Sequence, residues 1–159
     1  MSDTKGSTQN WRQATRLVRG GTERSPFEET SEGLFMTSGY VYSSAEDAEQ
    51  AFKGEKKRYI YSRYGNPTVA MFERRLALLE GATSCTATAS GMAAVFASLA
   101  CMLKAGDRVV ASRALFGSCL YILNDILPGY GIETVLVDGT DLNQWQQALD
   151  KKTQAVFLE

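Results

Sequence analysis

Three short stretches carry residue types that could do chemistry. In YSRYGNPT, Tyr61 to Thr68, the guanidinium of Arg63 lies between two tyrosines, and the run continues into Asn-Pro-Thr, a combination that opens helices. A guanidinium and a phenol placed there can hold a phosphate belonging to another molecule, because the arginine fork matches phosphate oxygens in charge and shape. In ATASGMAA, residues 87–94, small residues let a backbone come close to a ligand. The first free N–H groups of the helix that follows, at Ser90, Gly91 and Met92, would point at an anion with the helix dipole behind them. In RALFGSCLY, residues 113–121, Phe116 and Gly117 stand at the same kind of junction, where a ring could lie flat on a planar ligand. Each stretch also has a plainer reading. Arg63 serves equally as a surface ion-pair partner, Phe116 as a core residue ahead of a helix, and Ser-Gly as an ordinary strand-to-helix turn.

The composition narrows the chemistry. There is no histidine in the 159 residues, which removes Ser-His or Cys-His nucleophilic catalysis and any histidine-ligated metal. A net charge of −1 gives no electrostatic case for nucleic acid, and the basic run Lys53, Lys56, Lys57, Arg58 and Arg63 reads as a solvated face. Neither a P-loop nor a GxGxxG string occurs. Cys85, Cys101 and Cys119 are too far apart for a CxxC pair. With no export signal or apolar run of membrane length, they point to a reducing cytoplasm.

These residues need elements to position them, and the chain supplies a regular series. Residues 1 to about 30 are polar and aperiodic, and read as an extended arm. LFMTSGYVY, residues 34–42, has strand-like composition. Ser44 and Asp47 make a capping-box pattern before a helix with Ala45, Ala48 and Phe52 at helical spacing. Pro67 opens a helix with a stripe of Val69, Phe72, Leu76 and Leu79, stopped by Gly81. A short strand over 84–88 and a helix over 93–103 follow. Then come strand 107–112, a helix over 118–127 ended by Pro128-Gly129, and strand 132–138. Asp141, paired with Gln144, caps a helix with Leu142, Trp145 and Leu149 on one face, and strand 154–159 follows it. Such alternation predicts an α/β fold with a mostly parallel sheet and helices on both faces. A final strand with nothing to cover it is odd in such a sheet, which gives the expectation that the chain is cut.

The order of YSRYGNPT, ATASGMAA, LFGS and a strand ending in Glu159 closely resembles the pyridoxal-phosphate enzymes of Cys/Met metabolism, the cystathionine γ-synthase family. The likeness runs from about Leu34 to Glu159 and includes TSGYVYSSAEDAEQAFKGE. It implies the N-terminal part of a fold-type I, aspartate aminotransferase-like large domain, with pyridoxal 5'-phosphate as cofactor. Tyr61 and Arg63 would then reach across a dimer interface to the cofactor phosphate of a neighbouring subunit. Ser90 and the amides of Gly91 and Met92 would bind that phosphate from within the subunit. Phe116 stands where the family normally stacks a tyrosine on the pyridine ring; it keeps the face and lacks the hydroxyl. Phenylalanine followed by Gly-Ser is similar to the bacterial O-succinylhomoserine sulfhydrylases of the family.

The resemblance therefore implies γ-replacement in methionine biosynthesis: succinate leaves O-succinylhomoserine and sulfide adds, giving homocysteine. It also implies a cytoplasmic homo-oligomer, tetrameric by expectation, with small-molecule substrates and neither nucleic acid nor membrane as partner. Residues 1–60 would form a subunit-contacting arm and short helix, and 61–159 the first part of the cofactor domain. The Schiff-base lysine would lie beyond Glu159, leaving no catalytic residue and no metal ligand in this segment. Cystathionine γ-synthase and the methionine or cystathionine γ-lyases are alternatives within the family. A non-catalytic fragment or interaction module that lacks the lysine is the alternative from another class.

Overall fold

The computed structural model describes residues 11–159, which divide into two compact units, one ending at Ala87 and the other running Thr88–Glu159. In the second unit the strand β1, Arg108–Ser112, is buried along its whole length, as its unbroken apolar centre requires of a parallel sheet. It lies between β2, Glu133–Val137, and β3, Ala155–Phe157, in the order β2-β1-β3 with all pairs parallel. Val110 stands opposite Val135 on one side and Val156 on the other.

Alternation along β1 divides the core into two layers. Val109 and Ala111 pack with Leu99, Leu103, Ile122, Leu123, Leu127 and Ile132, whereas Val110 packs with Val137 and Ala148. Helices therefore cover both faces, as the sequence predicts. The helix α4, Gly91–Ala100, starts two residues earlier than expected because Ser90 caps it, and its tail relaxes into a turn before Leu103.

The helix expected over 118–127 runs further. It begins as α5, Gly117–Tyr121, widens into a π-helical turn at Ile122–Ile126, and closes as α6, Leu127–Gly129. Pro128 lies inside the run instead of ending it. Its ring crowds the carbonyl four residues back, and the wide turn, in which Leu127 N–H reaches Ile122 O, opens the spiral just ahead of it.

In α7, Leu142–Leu149, the Asp141 carboxylate accepts from the amides of Asn143 and Gln144. The reciprocal half of the box is altered: Gln144 Oε1 accepts from Asp138 N at 2.9 Å, tying the helix to the turn before it. The expected apolar face also shifts. Trp145 and Ala148 meet Val110, Val135 and Val137, while Leu142 is 80% exposed and Leu149 is exposed too.

The first unit is built differently. It holds α2, Ala45–Phe52, and α3, Pro67–Glu80, both as expected. Part of the expected extended arm is helical, as α1, Gln13–Arg19, which packs on α3; residues 1–10 of that arm lie outside the described residues. The expected strand over 34–42 does not form. It contributes one antiparallel bridge, Gly39 to Tyr61, because among the described residues no neighbouring strand offers it a ladder. Residues 84–88 are not a strand either, and the Ala87 amide bonds the Glu73 carboxylate at 2.7 Å. The stripe expected on α3 is only partly covered: Val69 and Phe72 are exposed, and Ala77 is the one buried residue of the helix.

Candidate functional site

Of the six residues singled out in the sequence, Tyr61 and Arg63 lie in the first unit and Ser90, Gly91, Met92 and Phe116 in the second. Tyr61 and Arg63 share a tight turn in which the amides of Tyr64 and Gly65 both donate to Tyr61 O, at 2.9 and 3.1 Å. The turn is pinned from several sides. The Ser62 amide donates to Ser38 O at 2.9 Å, and its hydroxyl donates to Thr37 O. Asn66, which is buried, caps α3 by accepting from Thr68 N at 2.9 Å, and its amide group donates to Phe35 O and Ser62 Oγ. Arg63 projects from this support with its guanidinium carbon 5.2 Å from the Tyr61 ring centre and 5.8 Å from that of Tyr64. Both distances are within cation–π range, so the exposed guanidinium is held by two aromatic faces. Among the described residues it has no carboxylate partner, which leaves its N–H fork available to an anion.

In the second unit, Ser90 accepts from Ala93 N at 3.1 Å, and this satisfies one early amide of α4 while the hydroxyl proton remains free to donate. Thr88 Oγ1 donates to Ser90 O at 2.8 Å and stiffens the approach. The amides of Gly91 and Met92 come first in the helix, so neither has a carbonyl four residues back to bond. A Cβ built at Gly91 would meet no atom within 4 Å, so open space lies over the helix start where a bulky anion could sit. Met92 is half-buried and packs its side chain against the core cluster.

Phe116 caps the neighbouring helix α5, which touches α4. Phe116 is 64% exposed, which overturns the plainer expectation of a core phenylalanine. The backbone is held while the ring is not: Phe116 N donates to Glu159 Oε2 at 2.8 Å, and Phe116 O accepts from the amides of Cys119 and Leu120. The other oxygen of Glu159 accepts from the Cys119 thiol at 2.8 Å. The thiol's hydrogen bond holds the Glu159 carboxyl below its ordinary value. In return, Glu159 and burial push the Cys119 thiol up to about 11, so it stays protonated and is a donor, not a nucleophile.

A family model described as Cys/Met metabolism PLP-dependent enzyme matches residues 14–159. The chain belongs to that family. Within the Cys/Met metabolism enzymes, an O-succinylhomoserine sulfhydrylase of Mycobacterium tuberculosis is 62% identical over 147 residues, covering 92% of this chain and 36% of the relative. An O-succinylhomoserine sulfhydrylase of Pseudomonas aeruginosa is 42% identical, over 91% of this chain and 36% of that protein. The chain thus spans about a third of the length of the curated relatives it matches. Among solved structures, a Campylobacter jejuni protein described as an O-acetylhomoserine (thiol)-lyase superposes with a TM-score of 0.82 at 29% identity, over 93% of this chain and 36% of its own. That protein carries N'-pyridoxyl-lysine-5'-monophosphate. The fold is accordingly the first part of a fold-type I pyridoxal-phosphate enzyme.

The long-range contacts of three residues important to this geometry are not legible in the sequence. Ser62 and Asn66 are in the YSRYGNPT string, and their cross-links to residues 35–38 have no signal in spacing. Glu159 stands 43 positions from the amide it accepts, and only the register of β3 beside β1 brings the two together.

Proposed function

We propose that this chain forms the first part of a pyridoxal-phosphate-dependent O-succinylhomoserine sulfhydrylase. In this reaction the Cγ–O bond of O-succinylhomoserine breaks, a Cγ–S bond to sulfide forms, and homocysteine and succinate leave. The observation that carries the reading is the exposed, aromatic-clamped Arg63 without a carboxylate partner among the described residues, within a chain 62% identical to a protein of that name. Free arginine forks with a fixed direction suit phosphate.

The residues present fit the cofactor. Ser90 Oγ and the amides of Gly91 and Met92 would hold its phosphate at the start of α4, where the open space over Gly91 leaves room. Tyr61 and Arg63 would complete the phosphate site of a neighbouring subunit, and the exposed Phe116 ring would stack on the pyridine plane. When bound, pyridoxal phosphate supplies an electron sink for chemistry beside the substrate amino group. Phe116 has no hydroxyl, so it orients the ring and excludes water from its face without moving a proton. None of this chain's lysines is given the covalent role.

The wider reading follows. Residues 1–60 serve as an arm and short helix touching another subunit, and 61–159 as the first part of the cofactor domain. The enzyme is a cytoplasmic homotetramer with a site shared across a dimer interface. Among the described residues no helix is long and apolar enough to cross a membrane.

The test is made on the full-length enzyme. It should form homocysteine from O-succinylhomoserine and sulfide, with little 2-oxobutyrate when sulfide is withheld; predominant 2-oxobutyrate would reassign it to a γ-lyase. Arg63→Ala should weaken cofactor binding roughly 30-fold, about 2 kcal/mol for a lost charge-assisted contact. Cofactor titration showing unchanged affinity would remove Arg63 from the phosphate site.

A further inference from the structure

Both oxygens of Glu159 are committed to one short segment 40 or more positions away, the turn that presents Phe116. Oε2 accepts from Phe116 N and Oε1 from the Cys119 thiol, each at 2.8 Å. Cys119 is almost fully buried and cannot move far, whereas the Phe116 ring is free. The carboxylate therefore anchors the turn to the end of β3 at two points, one buried in the core and one at the backbone from which the ring projects. The carbonyl of Phe116 is held as well, by two amides of α5. With N–H and C=O both fixed, the direction of the Cα–Cβ bond is set and the ring retains only its side-chain torsions. Two charge-assisted contacts on one carboxylate make a stiff mount.

We propose that Glu159 is the positioning residue for Phe116, fixing through the backbone amide and the Cys119 thiol the plane on which the cofactor ring rests. The inference rests on the reading of Phe116 as the ring-stacking residue, and it adds the part that aims it. Cys119 has a structural share in this mount: it is a buried, protonated donor that holds one carboxylate oxygen.

The experiment uses the full-length enzyme loaded with pyridoxal phosphate, with cofactor affinity and the visible circular dichroism of the bound cofactor as readouts. Glu159→Leu removes both acceptors and should weaken affinity roughly tenfold and flatten the dichroic band. Glu159→Gln keeps one acceptor and should fall between Glu159→Leu and wild type, which preserves the test if the leucine variant folds poorly. Cys119→Ser keeps a donor and should leave both readouts near wild type. The deciding measurement is the double variant. In a Phe116→Ala background the Glu159 substitutions should change affinity less than twofold, because the aimed ring is gone. Equal effects of Glu159→Gln with and without the ring, or no effect of either Glu159 variant, would overturn the inference. A Phe116→Ala enzyme with unchanged affinity and dichroism would remove the stacking reading itself, and the positioning role with it.

Discussion

The two units of this chain are held together in opposite ways. The second is a layered apolar core, with Leu123, Leu127, Val109 and Val110 fully buried around one central strand. The first buries few large apolar side chains and relies on polar nodes. Asp47, itself buried, accepts from Ser43 N, from Lys56 and from Arg58. Arg58 in turn donates to Val41 O and lies over the Tyr42 ring. Arg75 joins Gly20, Thr22 and Glu32, and Asn66 joins Phe35, Ser62 and Thr68. The difference shows how each unit serves its part of the proposed site. A packed apolar core fixes the helix start that presents the Gly91 and Met92 amides, while a polar lattice fixes a loop whose guanidinium must stay outside.

This contrast makes measurable claims. The largest effect is expected in the apolar unit, where Leu123→Ala should cost about 2–5 kcal/mol by leaving a cavity in the layer beneath β1. Chemical denaturation that shows less than about 1 kcal/mol would mean the layer is loosely packed. In the polar unit Asn66→Ala removes a helix cap and two donors together, and about 1–3 kcal/mol should go with them. An Asn66→Asp variant, which keeps the cap and loses the donors, separates those two shares in the same melts. The smallest and most specific effect is one of pH. The Lys56 contact, and then the Ser43 amide, hold Asp47 at about 2, against an ordinary 3.8. A depressed folded value means that its contribution is complete above the ordinary value and drains away as pH falls through about 2. Acid titration should therefore show wild type and Asp47→Asn converging in stability between pH 4 and 2. A constant gap over that range would place the stabilisation elsewhere.

How much was legible in the sequence follows the same division. Strand 107–112 was readable because burial on both faces demands an unbroken apolar centre, strand 132–138 through its Val135-Leu136-Val137 run, and α3 because Asn66, Pro67 and Gly81 mark its two ends. Gly81 adopts a left-handed φ of 65°, the conformation that ends helices. Residues 34–42 misled because their β-branched and aromatic content suits a pleated sheet, yet strand formation depends on a partner that composition cannot supply. Tyr61, Arg63, Ser90, Gly91 and Met92 stand out as candidates through local strings, which is where short-range chemistry is written. Ser62 and Glu159 were missed because their roles depend on contacts 25 or more positions away.

The strand order β2-β1-β3 also has a consequence in time. Among the described residues the first strand to be synthesised is the one between the other two, and it can pair with β2 once the intervening helical run is complete. The other side of β1 waits for β3, which leaves the ribosome roughly one to four seconds after β2 at about 5–20 residues per second. For that interval β1 is half of a finished ladder with one bare edge. The segment that closes this edge is also the one that delivers Glu159 to the turn beneath Phe116, so the pairing of β3 with β1 and the aiming of the ring are a single event in the history of the chain.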